Sequence, residues 1–150
     1  MTQLHTYTVR GEWSGDRHGT GHVSGERLSS ALSVPTNLGG PGVGTNPEEL
    51  LLSAANGCYL ITLAILLTNR KVPYTRLELE SEGFVVNDRG LRYDRIEHRP
   101  TIHVAPGTDV EQVEVYAEQA EHACMISSAI RGNVRVTVVP RVVVETSSNA

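Results

Sequence analysis

Cys58 and Cys124 are the only thiols in this 150-residue chain, and neither sits where a purely structural cysteine would need to be. Cys58 lies in Ser53-Ala54-Ala55-Asn56-Gly57-Cys58-Tyr59-Leu60, ten residues after Glu48 in the helix start Pro47-Glu48-Glu49. Cys124 closes an amphipathic stretch and opens Cys124-Met125-Ile126-Ser127-Ser128-Ala129. Thiolate chemistry needs an electropositive neighbour and partial access. Splitting a peroxide needs three parts: a thiolate, a cation that stabilises it and polarises the O–O bond, and an anion that holds the cation. The thiolate takes one oxygen and becomes a sulfenic acid, and a second cysteine condenses that acid to a disulfide. The parts are present. A helix restarting at Gly57 would lower the Cys58 pKa through its dipole. Glu48 stands at a helix start, Arg17 stands in a glycine-flanked turn, and Cys124 is spare. A cysteine at a helix C-terminus is poorly activated, which suits a resolving thiol. The competing reading makes both cysteines small core hydrophobes.

These residues must be positioned by the elements around them. Residues 5–13 read as a strand, followed by the turn Ser14-Gly15-Asp16-Arg17-His18-Gly19 and strand-like sequence over 20–34. Pro35 to Pro47 is a glycine- and proline-rich loop. Thr45 or Asn46 can cap the next helix, Pro47 suits its first position, and Glu48 and Glu49 suit its positive end. That helix runs to about Arg70, with a break allowed at Asn56-Gly57, and Pro73 blocks continuation. Strands Arg76–Asn87 and Tyr93–Val104 follow, joined by a turn at Asn87-Asp88-Arg89-Gly90. Asp109 caps a second helix in which Val110, Val113, Ala117, Ala120 and Cys124 recur at helical spacing, while Glu111, Glu114, Glu118 and Glu121 read as its solvated face. Val134 to Val144 reads as a last strand, and the tail from Thr146 as frayed. Residues 1–150 form a single α+β domain on this reading.

Bulk properties exclude several classes. A net charge of -4 and 5% aromatic residues argue against a nucleic-acid partner or an anionic membrane surface. The N-terminus shows no basic and apolar leader, so two cysteines point to a reducing, cytoplasmic setting. Leu50 to Leu67 carries no charge and approaches the length of a membrane span, but Ser53, Asn56, Gly57 and Thr62 interrupt it. A helix apolar on all sides is more simply buried in a core or between subunits. His98, His103, His122 and Cys124 fit no common zinc spacing, and no metal or cofactor is expected. The glycines at 39–44 lack the lysine and hydroxyl of a phosphate loop.

Leu38-Gly39-Gly40-Pro41-Gly42-Val43-Gly44-Thr45-Asn46-Pro47-Glu48-Glu49-Leu50, followed by Ala54-Ala55 and Cys58-Tyr59, resembles the signature of the OsmC/Ohr family of osmotically inducible and organic hydroperoxide resistance proteins. Cys124 to Val134 resembles that family's second-cysteine segment. The resemblance implies an OsmC-like α+β fold, with antiparallel sheets around long central helices in an intertwined homodimer. It also implies thiol-dependent reduction of organic hydroperoxides, with a dithiol reductant of lipoyl type. Cys58 then matches the peroxidatic cysteine, Cys124 the resolving one and Glu48 the family glutamate. Arg17 matches the arginine of the hydroperoxide-resistance branch, and Arg27 is the alternative. Met125 stands where proline is usual and Tyr59 where phenylalanine is usual, which places the chain in a side branch. The same departures keep open a non-catalytic lipid- or small-molecule-binding or redox-sensing protein on this scaffold.

Glu48 and Cys58 on one straight helix would lie about 15 Å apart along its axis. Either the helix breaks at Asn56-Gly57, or the arginine and glutamate reach Cys58 across a dimer interface. Leu50, Leu51, Leu52, Leu60, Ile61, Leu63, Ile65, Leu66 and Leu67 cover every side of a helix. The expectation is an obligate homodimer with each active site at the interface.

Overall fold

A computed structural model describes residues 2–146, which form one compact unit up to Leu50 and a second from Leu51 on. In the first unit, β1 (Val9–Ser14), β2 (Thr20–Gly25) and β3 (Ser29–Leu32) make an antiparallel sheet in that order. The strand expected over 5–13 starts only at Val9, because its partner strand ends where Gly25 pairs with Val9. Gly25 then turns the chain, its N–H donating to the Leu28 carbonyl at 2.7 Å. The following loop, with a short 3-10 turn at Thr36–Leu38, is tied back to β3. The buried Ser33 hydroxyl donates to the Val43 carbonyl (2.9 Å) and accepts from the Val43 N–H (2.7 Å), and Thr45 N–H donates to the Ala31 carbonyl (2.9 Å). Gly44 (φ 71°) permits that approach, since a Cβ there would collide with the Ala31 carbonyl. These glycines serve the backbone path.

Helix α1 (Pro47–Asn69) opens with Asn46, whose side-chain oxygen accepts from the Glu49 N–H at 2.8 Å. It then runs without interruption, so the break allowed at Asn56-Gly57 does not occur. Tertiary anchoring of Asn56, described below, outweighs the poor helix propensity of an Asn-Gly pair.

In the second unit, β4 (Tyr74–Asn87) and β5 (Leu91–Val104) form a long hairpin. Then come α2 (Val110–Ala123), α3 (Met125–Ile130), β6 (Arg135–Val138) and β7 (Arg141–Val144). Asp109 caps α2 as expected, accepting from the Gln112 N–H at 3.3 Å. The single strand expected over 134–144 is two, separated at Val139-Pro140, where proline has no N–H for the ladder. Both pair with β5 in parallel, so this sheet is mixed, not wholly antiparallel. The helical crossover through α2 and α3 is the kind of connection that parallel neighbours need.

Three stripes meet in the core. Ala55, Tyr59, Leu63 and Leu67 recur every four residues along α1, and all are fully buried. They face Ile96, His98, Pro100, Ile102 and Val104, the inward residues of β5, and Val113, Ala117, Ala120 and Cys124 on the α2 side. Each large apolar side chain buried in this way contributes roughly 1.5–3 kcal/mol. The opposite face of α1 is uncovered in the single chain, with Ile61 64% and Ile65 56% exposed. By length and composition alone α1 could cross a membrane, with a mean hydropathy of 2.0 over its most apolar window.

Candidate active site

Four side chains fix the α1 turn that carries Cys58. Asn56 donates through Nδ2 to the Leu79 carbonyl (3.1 Å) and to the Ser81 hydroxyl (2.9 Å) on β4. Ser81 Oγ is in turn 2.7 Å from Nδ1 of His98 on β5. Tyr59 stacks on the His98 ring, centroids 4.9 Å apart and planes 22° from parallel, and donates its hydroxyl to the Ala117 carbonyl of α2 at 2.7 Å. With Asn56 and Tyr59 anchored, Cys58 has its direction set. It points at the junction of α2 and α3, where Cys124 packs into the same core cluster.

Cys124 is the hinge residue of that junction. Its N–H donates to the Glu121 carbonyl (3.2 Å) to finish α2, and its carbonyl accepts from the Ser128 N–H (2.9 Å) to begin α3. Cys124 stands at a helix C-terminus as expected, and the chain restarts at once through the same residue, held in an extended step (φ -70°, ψ 122°). The two thiols are free and near enough that each acts on the acidity of the other. Burial would push the Cys58 thiol up, but donors outweigh it. The N–H of Ile126, the Cys124 thiol, the N–H of Met125 and the Thr62 hydroxyl together bring Cys58 below its ordinary value. Cys124 moves the other way: burial raises it, and the neighbouring Cys58 sulfur adds to the rise despite donors from Ser127.

The sequence reading had the direction of both effects and the wrong source for the first. No helix restarts at Gly57; the donors come from Thr62 one turn later and from the segment after Cys124. One other surrounding also differs from expectation. Glu121, read as part of a solvated face, is buried and pairs with Arg131 at 2.9 Å. Its position four residues after Ala117 and one after Ala120 already put it beside the buried stripe. His98 is fully buried and lies well below its usual value, at about 4, because burial penalises the imidazolium more than Glu121 favours it. Tyr59 is raised above its usual range, first by burial and then by Glu121 and Cys124.

The other predicted site residues belong to the first unit. Arg17 is exposed in the turn between β1 and β2 and donates through Nη2 to the Leu38 carbonyl at 3.1 Å, at the head of the glycine-rich loop. Glu48 is half-buried in the first turn of α1, and Arg27 is exposed in the turn between β2 and β3. Among the described residues no group of three or more His, Cys, Asp or Glu side chains could hold a metal ion. The histidines that sequence spacing offers lie apart: His98 in the core, His103 against Glu78 at 2.7 Å, His122 exposed beside Glu121.

Chemically, the arrangement offers a half-buried thiol biased toward thiolate and a protonated thiol in contact with it. That combination can be oxidised at the first sulfur and close a disulfide through the second.

Comparison with known proteins agrees with this picture. The family model described as OsmC-like protein matches residues 39–139. The chain is 39% identical to the uncharacterized protein YmaD of Bacillus subtilis, covering 88% of this chain and 91% of that one. It is 30% identical to an organic hydroperoxide resistance protein of Xanthomonas axonopodis pv. citri, covering 88% and 92%. Among solved structures, an organic hydroperoxide resistance protein OsmC of Legionella pneumophila superposes with a TM-score of 0.76 at 26% identity, covering 92% of this chain and 99% of that one. The match of the family model over most of the sequence and the YmaD likeness along nearly all of it establish that this chain belongs to the OsmC/Ohr family.

Proposed function

We propose that the protein is a cysteine-based peroxidase that reduces organic hydroperoxides to alcohols. The observation that carries the reading is the Cys58–Cys124 pair, two thiols in contact whose acidities are driven in opposite directions. The Cys58 thiolate attacks the terminal oxygen of ROOH. The O–O bond breaks, Cys58 becomes a sulfenic acid, and the leaving alkoxide takes a proton to become ROH. The Cys124 sulfur then attacks the Cys58 sulfur, the S–O bond breaks, and water leaves as a disulfide forms. An external dithiol, of the lipoyl type in this reading, returns both thiols and is itself oxidised to a disulfide.

Arg17 is the cation that stabilises the thiolate and polarises the peroxide, and Glu48 holds it. In this reading residues 1–150 act as one domain, and the protein is a cytoplasmic homodimer in which a second copy covers the face of α1 bearing Ile61 and Ile65. The apolar walls of that helix favour alkyl or fatty-acid hydroperoxides over hydrogen peroxide. Relatives named organic hydroperoxide resistance proteins support the substrate class. The lowered pKa of Cys58 weighs against a non-catalytic binding protein, which needs no thiolate.

The test is turnover. With dithiothreitol as reductant the protein consumes cumene hydroperoxide and releases the alcohol, faster than it consumes hydrogen peroxide. No turnover of either peroxide overturns the proposal. Sedimentation equilibrium at sub-micromolar concentration tests the assembly, where a stable, folded and active monomer contradicts it.

A further inference from the structure

The segment from Cys124 to Ile130 supplies Cys58 with its resolving thiol and with the N–H groups of Met125 and Ile126. Ile126, Ser127 and Ile130 seat this six-residue helix on the core, but its N-cap residue makes no side-chain capping bond to fix its ends. One contact spans it. Arg131, the residue that ends α3, donates through Nη2 to Glu121 Oε1 (2.9 Å) and lies 3.4 Å from the Glu121 carbonyl oxygen. That same carbonyl accepts the Cys124 N–H at 3.2 Å. Glu121 thus receives both ends of the segment, Cys124 through its backbone and Arg131 through its carboxylate and backbone. The Glu121 side chain is 12% exposed and that of Arg131 46%. Without Arg131, Glu121 Oε1 would lose a hydrogen bond in a place that water barely reaches, while the open side of Arg131 limits what the pair adds to global stability.

We propose that Glu121 and Arg131 form a positioning clamp that closes the Cys124–Ile130 segment and holds Cys124 and the two N–H groups against Cys58. The clamp touches neither peroxide nor sulfur and acts through the segment it closes. Its role in resolution rests on the peroxidase reading above, but its hold on Cys58 does not.

The experiment therefore uses two readouts. The first is the pH dependence of Cys58 alkylation by iodoacetamide in a Cys124→Ser background, which requires no peroxidase activity. The second is the rate of Cys58–Cys124 disulfide formation driven by diamide in the otherwise native chain. Arg131→Ala, checked for cooperative unfolding, moves the alkylation midpoint upward and slows disulfide closure about tenfold. Arg131→Lys, which keeps the charge but not the planar guanidinium, restores part of each. Glu121→Gln keeps the shape and loses the charge, and it covers the case in which Arg131→Ala does not fold. A folded variant of either residue with both readouts unchanged overturns the clamp. Failure of peroxide turnover in the native chain, with these shifts present, overturns the peroxidase reading and leaves the clamp standing.

Discussion

Cys58 and Cys124 touch each other, yet their surroundings do opposite things to them. Cys58 is half-buried and faces four donors, two of them backbone N–H groups from the segment after Cys124. Cys124 is fully buried, and the Cys58 sulfur beside it raises its pKa further. Burial raises both; Cys58 gains more donors, and its sulfur raises Cys124 further. Proximity alone therefore does not make a redox pair. In the proposed mechanism, an asymmetry of surroundings decides which sulfur attacks the peroxide and which waits.

The largest effect comes from deleting one side of the comparison. Cys58→Ser abolishes peroxide consumption entirely, while Cys124→Ser still permits one oxidation and lets Cys58 proceed to sulfinic and sulfonic acids, read as added oxygens by mass spectrometry. Should Cys124→Ser keep multiple turnovers and resist over-oxidation, Cys124 is not the resolver.

A second prediction concerns the scaffold behind Cys58. Buried His98 has a folded value of about 4 against 6.5 for the free group, so the unfolded chain binds the extra proton between those limits. Stability is full above pH 6.5 and falls as the pH drops toward 4, by about 3 kcal/mol from this residue alone. Urea midpoints across that window check it, and His98→Asn should flatten the profile. A wild-type profile that is already flat refutes the buried neutral histidine.

Smaller again is Tyr59→Phe. It removes the hydroxyl bond to the Ala117 carbonyl and should cost about 1 kcal/mol, measurable by urea unfolding. The smallest expected effect is Thr62→Val, which deletes the weakest of the four donors and should move the Cys58 alkylation midpoint up by a few tenths of a pH unit at most. A shift as large as that of the clamp variants would mean that the backbone donors matter less than argued here.

The legibility of these features in the sequence followed their range. The cap at Asn46, the start of α1 at Pro47, the cap at Asp109 and the hairpin turn at Asn87-Gly90 are local, and each was readable from a few adjacent residues. The glutamate-to-cysteine spacing and the two cysteine segments were readable by resemblance. What was not readable depends on contacts between distant segments. The straight run of α1 through Asn56-Gly57 needs β4 to receive the Asn56 amide. The parallel β6 and β7 depend on a crossover that a strand pattern does not reveal. The burial of Glu121 and His98 follows from which faces of α2 and β5 turn inward. An asparagine in a charge-free helix was the one signal left unused, since it needs a buried partner and so marks the turn that aims Cys58.

The most direct test of the central claim is a single-turnover experiment on the reduced protein. One equivalent of cumene hydroperoxide is added without reductant, and the chain is digested and mapped by mass spectrometry. The account predicts a peptide pair joined through Cys58 and Cys124, with one alcohol released per disulfide formed. Both cysteines still free after the peroxide has persisted, or Cys124 oxidised while Cys58 is not, would contradict it.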